Sequence, residues 1–345
     1  NFSMSEKTFG LDIGTTSLRA AQVVKSGNVF SLQSVVVIPQ QVKGILSESL
    51  ADQQALADSI KKMLENANLK TKNVNVSILD SQVYTKVIEM PELSEQEAAG
   101  ALKFQMEQLV PLPLDQVSTD WQILGSLGGS EKKTMIVMIV AAPLAIINKY
   151  EKVLGLAGLI PEVIETEIIS VHRALLPLVA ASGPALLIHI GAEMTNIAII
   201  HNGVIILAFA ISLGGIAITR AISVDLAIDL VQAESFKKTY GLNAQAFEGK
   251  IGRALTPILD SMATDIQKAV LSYKQNNNVD IKQIVLSGGS ALLPGIDAYF
   301  TNKLGIQVVV GNSFDAYNIG NVPSELRVDA PSYNVVMGLA LRDSV

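Results

Sequence analysis

Three short glycine turns carry the residues best suited to chemistry, and the chemistry they suit is the seating of a phosphate chain. The first is Asp12-Ile13-Gly14-Thr15-Thr16. Glycine lets a ligand approach the backbone closely and leaves N–H groups pointing at an anion. The threonine hydroxyls add donors. Asp12 could hold Mg²⁺ through water, because that ion prefers oxygen ligands and keeps much of its hydration shell. Arg19 could meet a phosphate oxygen. The second turn, residues 189–196, reads HIGAEMTN and contains Gly191 and Thr195. The third, Ser287-Gly288-Gly289-Ser290, follows an apolar run at 283–286 and leads into Leu292-Leu293-Pro294-Gly295. A strand ending in Gly-Gly ahead of a helix could seat a nucleoside and receive phosphates at the helix N-terminus. Each turn taken alone is also what an ordinary β-turn, or glycine at a tight helix–sheet contact, looks like.

A repeat joins the first two. TFGLDIGTTSLRAAQVV at 8–24 and LLIHIGAEMTNIAII at 186–200 share a strand, a glycine turn and a second strand, about half the chain apart. The mismatch between them is chemical: Asp12 in one copy, His189 in the other. Elsewhere the chemistry thins out. Glu234, Lys237 and Lys238 in AESFKKTYG could flank a purine and a ribose, or form the solvated face of a helix. Glu165 and Glu167 in VIETEIISVHRAL could orient an attacking water, or stabilise a helix N-terminus. His172, His189 and His201 are the only histidines and do not have the spacing of a metal motif such as HExxH. The absence of cysteine excludes thiolate metal sites, disulfides and a Cys nucleophile.

The elements that must position these turns alternate. Strands are expected at 9–12, 18–24 and 29–38, and again at 185–190, 197–200 and 204–212, with Asn202-Gly203 closing a tight hairpin. A helix at 53–67 places Leu56, Ile60, Met63 and Leu64 on one face. Ser94 and Glu97 form a capping-box pattern, and the helix they open ends at Pro111-Leu112-Pro113. A further helix is expected at 260–274, with Ile266, Val270 and Tyr273 on its stripe. Residues 73–147 read as a small α+β insertion, with a Gly-rich loop at 125–130. This is an α/β chain. A length of 345 residues suits two or three domains, and a net charge of −6 argues against a nucleic-acid partner. The apolar runs at 135–147 and 197–213 are too short or interrupted to span a membrane and read as buried strands. NFSMSEKT has no apolar core, so no secretory signal is expected, and Asn1, Phe2 and Ser3 before Met4 read as a cloning remnant.

Together the motifs resemble the actin-like ATPases, a group that includes actin, Hsp70 chaperones, sugar kinases and FtsA. Within it, the chain most resembles the PilM family of type IV pilus assembly proteins. The matching stretches are FGLDIGTTSLRAAQV, EMPELSEQEAAGALKFQMEQLVPLPLDQVSTDWQIL, VIETEIISVHRAL, HIGAEMTNIAII, QAESFKKTYG, IVLSGGSALLPGI and VVMGLALR. The second is the most specific, because a proline-ended capped helix followed by Asp120-Trp121-Gln122 marks the insertion of PilM and FtsA. The resemblance implies a duplicated actin-like (ribonuclease H-like) α/β fold. Its first half would comprise residues 4–72 and 148–180, its inserted α+β unit 73–147, and its second half 181–345, with a smaller lobe near 220–275.

It also implies ATP or ADP, with Mg²⁺, in a cleft between the halves. Asp12, Gly14, Thr15, Thr16 and Arg19 match the first phosphate loop, and Gly191 and Thr195 the second. Glu234 and Lys238 match the adenosine side, and Gly288 and Gly289 the adenosine loop. Asp12, Glu165 and Glu167 are the candidates for catalysis, which would be slow ATP hydrolysis at most. His189 departs from the family, which usually has Asp there to help hold the metal's water shell. A neutral imidazole suits Mg²⁺ poorly and a charged one repels it. The implied role is a scaffold in the bacterial cytoplasm, peripheral to the inner membrane through its partner. That partner is the N-terminal cytoplasmic peptide of a PilN-like protein, seated near residues 74–124, with indirect links to PilO and the inner-membrane platform. Three other functions are weighed. An FtsA-like polymerising protein would usually end in a lipid-binding helix, which the closing GLALRDSV does not resemble. A small-molecule kinase would need a general base, for which Glu165 or Glu167 could be named. A type II secretion component of related fold is the third.

Overall fold

The structure is a computed structural model that describes residues 8–40, 44–127, 133–181 and 183–345. Three antiparallel strands open it: β1 (Phe9–Ile13), β2 (Ser17–Ser26) and β3 (Val29–Pro39). Helix α1 (Leu50–Asn66) buries Leu56, Ile60, Met63 and Leu64, the face its periodicity marks, and returns the chain to β4 (Asn73–Ile78). An inserted unit follows: β5 (Tyr84–Pro91), α2 (Glu95–Leu109), β6 (Val117–Leu127) and β7 (Thr134–Pro143). The capping box of α2 is formed, with the Glu97 N–H donating to Ser94 Oγ (3.4 Å) and the Ser94 N–H to Glu97 Oε2 (3.0 Å). Then α3 (Leu144–Leu156), β8 (Ile160–Thr166) and α4 (Glu167–Ala180) complete the first half.

The second half repeats the plan with β9 (Ala185–Ile190), β10 (Thr195–His201) and β11 (Val204–Ile211). Asn202 and Gly203 both adopt positive φ (52° and 77°), as a tight hairpin between twisted strands requires. Helices α5 (Gly215–Leu226), α6 (Leu230–Thr239) and α7 (Lys250–Asn277) lead to β12 (Gln283–Ser287), and α8 (Ile296–Leu304) leads to β13 (Val308–Val310). Short helices α9 (Ser313–Ala316) and α10 (Ser324–Val328) precede the last helix, α11 (Asn334–Leu341). The two large sheets have the same order, β3-β2-β1-β4-β8 and β11-β10-β9-β12-β13. In each, an antiparallel meander is extended by two parallel strands.

Four features bear on the expected outline. Residue 73, the expected start of the insertion, opens β4 of the first sheet. β4 pairs in parallel with both β1 and β8 and is buried on both faces beyond its first residue, as a central strand must be. The third sheet is β5-β7-β6, covered by α2. In the region near 220–275, the expected smaller lobe, α5, α6 and α7 share one apolar cluster with the second sheet. α7 begins ten residues before the expected 260. Gly252 and Pro257 read as breakers, but Ile251, Ala254 and Leu255 anchor that first stretch to the core, and burial overrides propensity. The last residues of the chain leave the second half, because Phe314, Ile319, Tyr333, Val336 and Met337 pack with Ala21, Val23 and Leu32 of the first sheet.

That return has a counterpart. α4 leaves the first sheet and buries Val171, Ala174 and Leu175 with Leu187, Ala198 and Val285 of the second. The two halves thus exchange their linking helices, which cross in backbone contact. A Cβ at Gly338 of α11 would lie 1.8 Å from Ser170 O of α4. Of the expected loop at 125–130, Gly125 and Ser126 lie in β6, and residues 128–130 lie outside the described residues, as do 1–3.

Candidate functional site

The repeat seen in the sequence is a repeat in geometry. The Gly14 N–H donates to Ser17 O (3.0 Å), and the Gly191 N–H donates to Met194 O (2.9 Å). Each glycine closes a β-hairpin whose first strand delivers one polar side chain to the tip. In the first hairpin this is Asp12, buried at 5 % exposure. Ser77 Oγ donates to its Oδ1 (2.9 Å), and Arg19 Nη1 lies 3.6 Å from Oδ2. Arg19 in turn lies over the Tyr333 ring, 5.9 Å from its centroid. Burial raises the Asp12 pKa against the pull of Arg19 and Ser77. In the second hairpin the residue is His189, with Nδ1 3.0 Å from Ser287 Oγ. Burial, with a smaller push from Arg19, lowers its pKa to about 4, so the ring is neutral. Asn196 pairs with His189 across the hairpin as Arg19 does with Asp12, and its Nδ2 donates to Glu167 Oε2 (3.3 Å).

The third turn packs on the second. Gly288 has φ +90°, and a Cβ there would lie 2.2 Å from Ile190 O, so only glycine fits. A Cβ on Gly289 would sit 3.4 Å from Ser332 Oγ. Sequence reasoning missed a fourth turn, Gly214-Gly215. The Gly215 N–H donates to Gly191 O (2.8 Å) and the Ile216 N–H to Ala192 O (2.8 Å), which staples the start of α5 to the second loop. Of the two lysines, it placed Lys238 rather than Lys237 on the adenosine side. Lys237 is the buried one, donating to Gly215 O (3.1 Å) and Thr219 Oγ1 (2.9 Å) and pairing with Glu234 Oε2 at 2.7 Å. Lys238 is 74 % exposed in its side chain and only touches Glu234 Oε1, at 3.3 Å. The signal was available, since Ala233 and Lys237 are one helical turn apart on the buried stripe of α6. Gly191, Gly215, Lys237 and Ser290 converge, for a Cβ on Gly215 would lie 2.8 Å from Ser290 Oγ and 3.5 Å from Lys237 Nζ.

The two candidate acids separate. Glu165 is held by Arg173 (2.5 and 2.9 Å), by Arg342 and by Ser170 Oγ (2.7 Å), so its oxygens tie β8 to the two crossing helices. Glu167, the first residue of α4, is half-buried, and its pKa is pushed well up, first by desolvation and then by Asp80 and Asp12. Asp80, which carried no sequence signal, is pushed up to about 7 by burial. The Glu167 and Ile168 N–H groups at the start of α4 oppose that rise, yet neither Asp80 oxygen has a full hydrogen-bond partner. Thr15 is half-buried and Thr16 exposed at the first loop. Thr195 is buried and donates to Leu213 O (2.7 Å), so its hydroxyl secures the Gly214 turn.

The glycine cradle and its converging donors fit a nucleotide's phosphates and sugar. They suit Mg²⁺ less well. Among the described residues no three carboxylate or imidazole groups are placed to hold an ion, Asp12 already faces Arg19, and His189 is neutral. Asp12 is the one tip residue that could serve a metal's water shell.

A second site lies between β6–β7 of the insertion and β8, a groove of about 280 Å³. Met138, Val140, Ile147 and Ile169 give it an apolar lining, Ser118, Asp120 and Gln122 a polar wall, and Glu165 and Arg342 lie among its walls. The expected peptide region, 74–124, supplies only part of it.

A family model described as "Type IV pilus assembly protein PilM" matches residues 10–344. The chain belongs to that family. The solved "PilM-PilN type IV pilus biogenesis complex" is similar at 27 % identity and a TM-score of 0.84, covering 98 % of each chain. "Cell division protein FtsA" of Streptococcus pneumoniae serotype 2 (strain D39 / NCTC 7466) is 22 % identical over 96 % of this chain and 79 % of its own length. MreB 5 of Spiroplasma citri bound to AMPPNP shares the fold at 17 % identity, covering 96 % of this chain and 94 % of that one, with a TM-score of 0.50. The fold is therefore the actin-like α/β fold of the PilM family. No helix among the described residues is long and apolar enough to cross a membrane.

Proposed function

We propose that the chain is a nucleotide-binding scaffold of type IV pilus assembly. ATP or ADP occupies the cleft between the two glycine hairpins, and the N-terminal cytoplasmic peptide of a PilN-like protein occupies the groove beside β8. The observation that carries this reading is the full-length likeness to the PilM–PilN complex, combined with an apolar groove at the junction of insertion and first sheet. The partner peptide would hold the protein at the cytoplasmic face of the inner membrane and link it to PilO and the platform. In the cleft, Gly14, Gly191, Gly215 and Gly288 admit the nucleotide, and Glu234 with Lys237 faces its sugar. Glu167 is the candidate to orient a water, and Glu165 is structural. With Asp12 alone for a metal's shell, any hydrolysis is slow. The division we propose follows the sheets: residues 9–78 and 144–180 with 313–341, an insertion at 84–143, and a second half at 185–310.

Trp121 is the only tryptophan and lines the groove, so its emission reports occupancy. A synthetic PilN-like N-terminal peptide should shift that emission saturably, and Val140→Arg should abolish the shift while leaving ATP binding by calorimetry intact. A silent Trp121 together with no calorimetric peptide signal would sink the groove reading. No heat with ATP or ADP, with or without Mg²⁺, would sink the cleft reading.

A further inference from the structure

The second hairpin differs from the first in the atom it offers to the cleft, and its surroundings decide which atom that is. Asn334 of α11 is fully buried, and two backbone groups fix its amide. The Ser313 N–H donates to Oδ1 (3.2 Å), and Nδ2 donates to Gly311 O (3.0 Å). Nδ2 must then also face Ser287 Oγ, at 2.9 Å, and donate to it. Ser287, itself fully buried, meets His189 Nδ1 at 3.0 Å. Were Nδ1 protonated, Ser287 Oγ would accept from both neighbours and its own hydrogen would be buried without an acceptor, which costs the full desolvation of that hydroxyl. With Nδ1 bare, Ser287 donates to it and every group in the chain is paired. The ring is then the Nε2–H tautomer. Nε2 has no hydrogen-bond partner among the described residues. It lies 4.0 Å from the point a Cβ on Gly191 would occupy, and Glu167 Oε2 lies 4.0 Å from the same point.

We propose that His189 is a neutral Nε2–H donor to a phosphate oxygen, its tautomer set by Asn334 through Ser287. This rests on the cleft holding a nucleotide. A carboxylate at this position would repel a polyphosphate unless a cation stood between them, whereas an N–H attracts it directly. The second loop therefore binds phosphate without a metal, and its serine and asparagine exist to keep the donor pointed outward.

The test uses the full chain. Long-range ¹⁵N imidazole spectra separate the two ring nitrogens, and with three histidines His189 is assigned by its loss in His189→Gln. The expected result is a bare Nδ1 and a protonated Nε2, with the Nε2 signal moving on addition of ADP. In EDTA, His189→Gln, which keeps a side-chain N–H, should hold ADP affinity within about threefold, and His189→Asp should lose about tenfold or more and regain part of it with Mg²⁺. A proton on Nδ1 overturns the proposal, and so does an Asp variant that binds ADP in EDTA as tightly as wild type. Failure of the wild type to bind ADP or ATP under any condition overturns the nucleotide reading and this role together. A normal wild type with an indifferent Asp variant overturns this role alone.

Discussion

The two halves of the molecule have the same sheet order, the same glycine hairpin and the same serine in the neighbouring parallel strand, yet opposite electrostatics at the tip. In the first, Ser77 donates to a carboxylate that faces Arg19. In the second, Ser287 meets a neutral imidazole, and Asn196 stands where Arg19 would. Backbone geometry and the supporting serine are constrained by strand pairing, which a repeat preserves. The charge at the tip is not, because the fold needs only a polar group that the serine can satisfy. The first half also carries the insertion and its groove, so the charged half faces both sites and the neutral half faces one.

The largest test breaks the seam that lets the halves be compared. A methyl at Gly338 would sit 1.8 Å from Ser170 O, a backbone atom that cannot swing away. Gly338→Ala should therefore force α4 and α11 apart and cost about 3 kcal/mol or more in urea or thermal unfolding. A melting temperature within a degree or two of wild type would mean that the helices do not cross in contact. Next in size is Glu165→Gln at the same crossing. It leaves Arg173 and Arg342 facing each other with one neutral partner and should cost about 2–3 kcal/mol. Because Glu165 serves structure rather than the reaction, ADP affinity should stay within about twofold. A stable Glu165→Gln that cannot bind ADP would return Glu165 to the cleft.

The electrostatic contrast makes a prediction with opposite signs in the two halves. Asp80 rises from 3.8 to about 7 on folding, so the folded state binds the extra proton between those values and stability falls as pH rises through that window. Asp80→Asn should raise stability by about 1–3 kcal/mol at pH 8, with the gain shrinking towards pH 4. His189 falls from 6.5 to about 4, so the unfolded state binds the extra proton and stability is lost as pH drops from 6.5 towards 4. His189→Gln should flatten that acid limb and do nothing above pH 7. Melting curves across pH 4–8 for both variants read the two slopes, and slopes of the same sign would end the contrast.

What the sequence made legible was local. The hairpins, the glycine turns, the helix α2 cap and the buried stripe of α1 each depend on residues within a few positions of one another, so composition and period show them. The Asp12–His189 mismatch was visible for the same reason. What stayed hidden is assembled across the chain. Asp80 has meaning only because α4 starts above it, Gly214-Gly215 only because the second loop lies against it, and the groove only because β8, which starts at Ile160, returns beside an insertion closed at Pro143. Lys237 lay between these cases. Its period was readable, but charge suggested solvent, and only its three partners show why a lysine is buried there.

The smallest effect is the sharpest check on the comparison itself. A Cβ on Gly14 would lie 2.9 Å from Ser17 O, and one on Gly191 would lie 3.0 Å from Met194 O, each within its own turn. If the hairpins are true equivalents, Gly14→Ala and Gly191→Ala should each cost about 1 kcal/mol, equal within the error of denaturant titration. Their binding effects should also match, because each methyl narrows the same cradle from one side. A difference of more than about 1 kcal/mol would show that one loop yields where the other does not. The yielding loop should be the first, for the second is stapled to α5 by two backbone hydrogen bonds, from Gly215 and Ile216, whereas among the described residues the first is braced by one, from the Gln40 N–H to Thr16 O (3.0 Å).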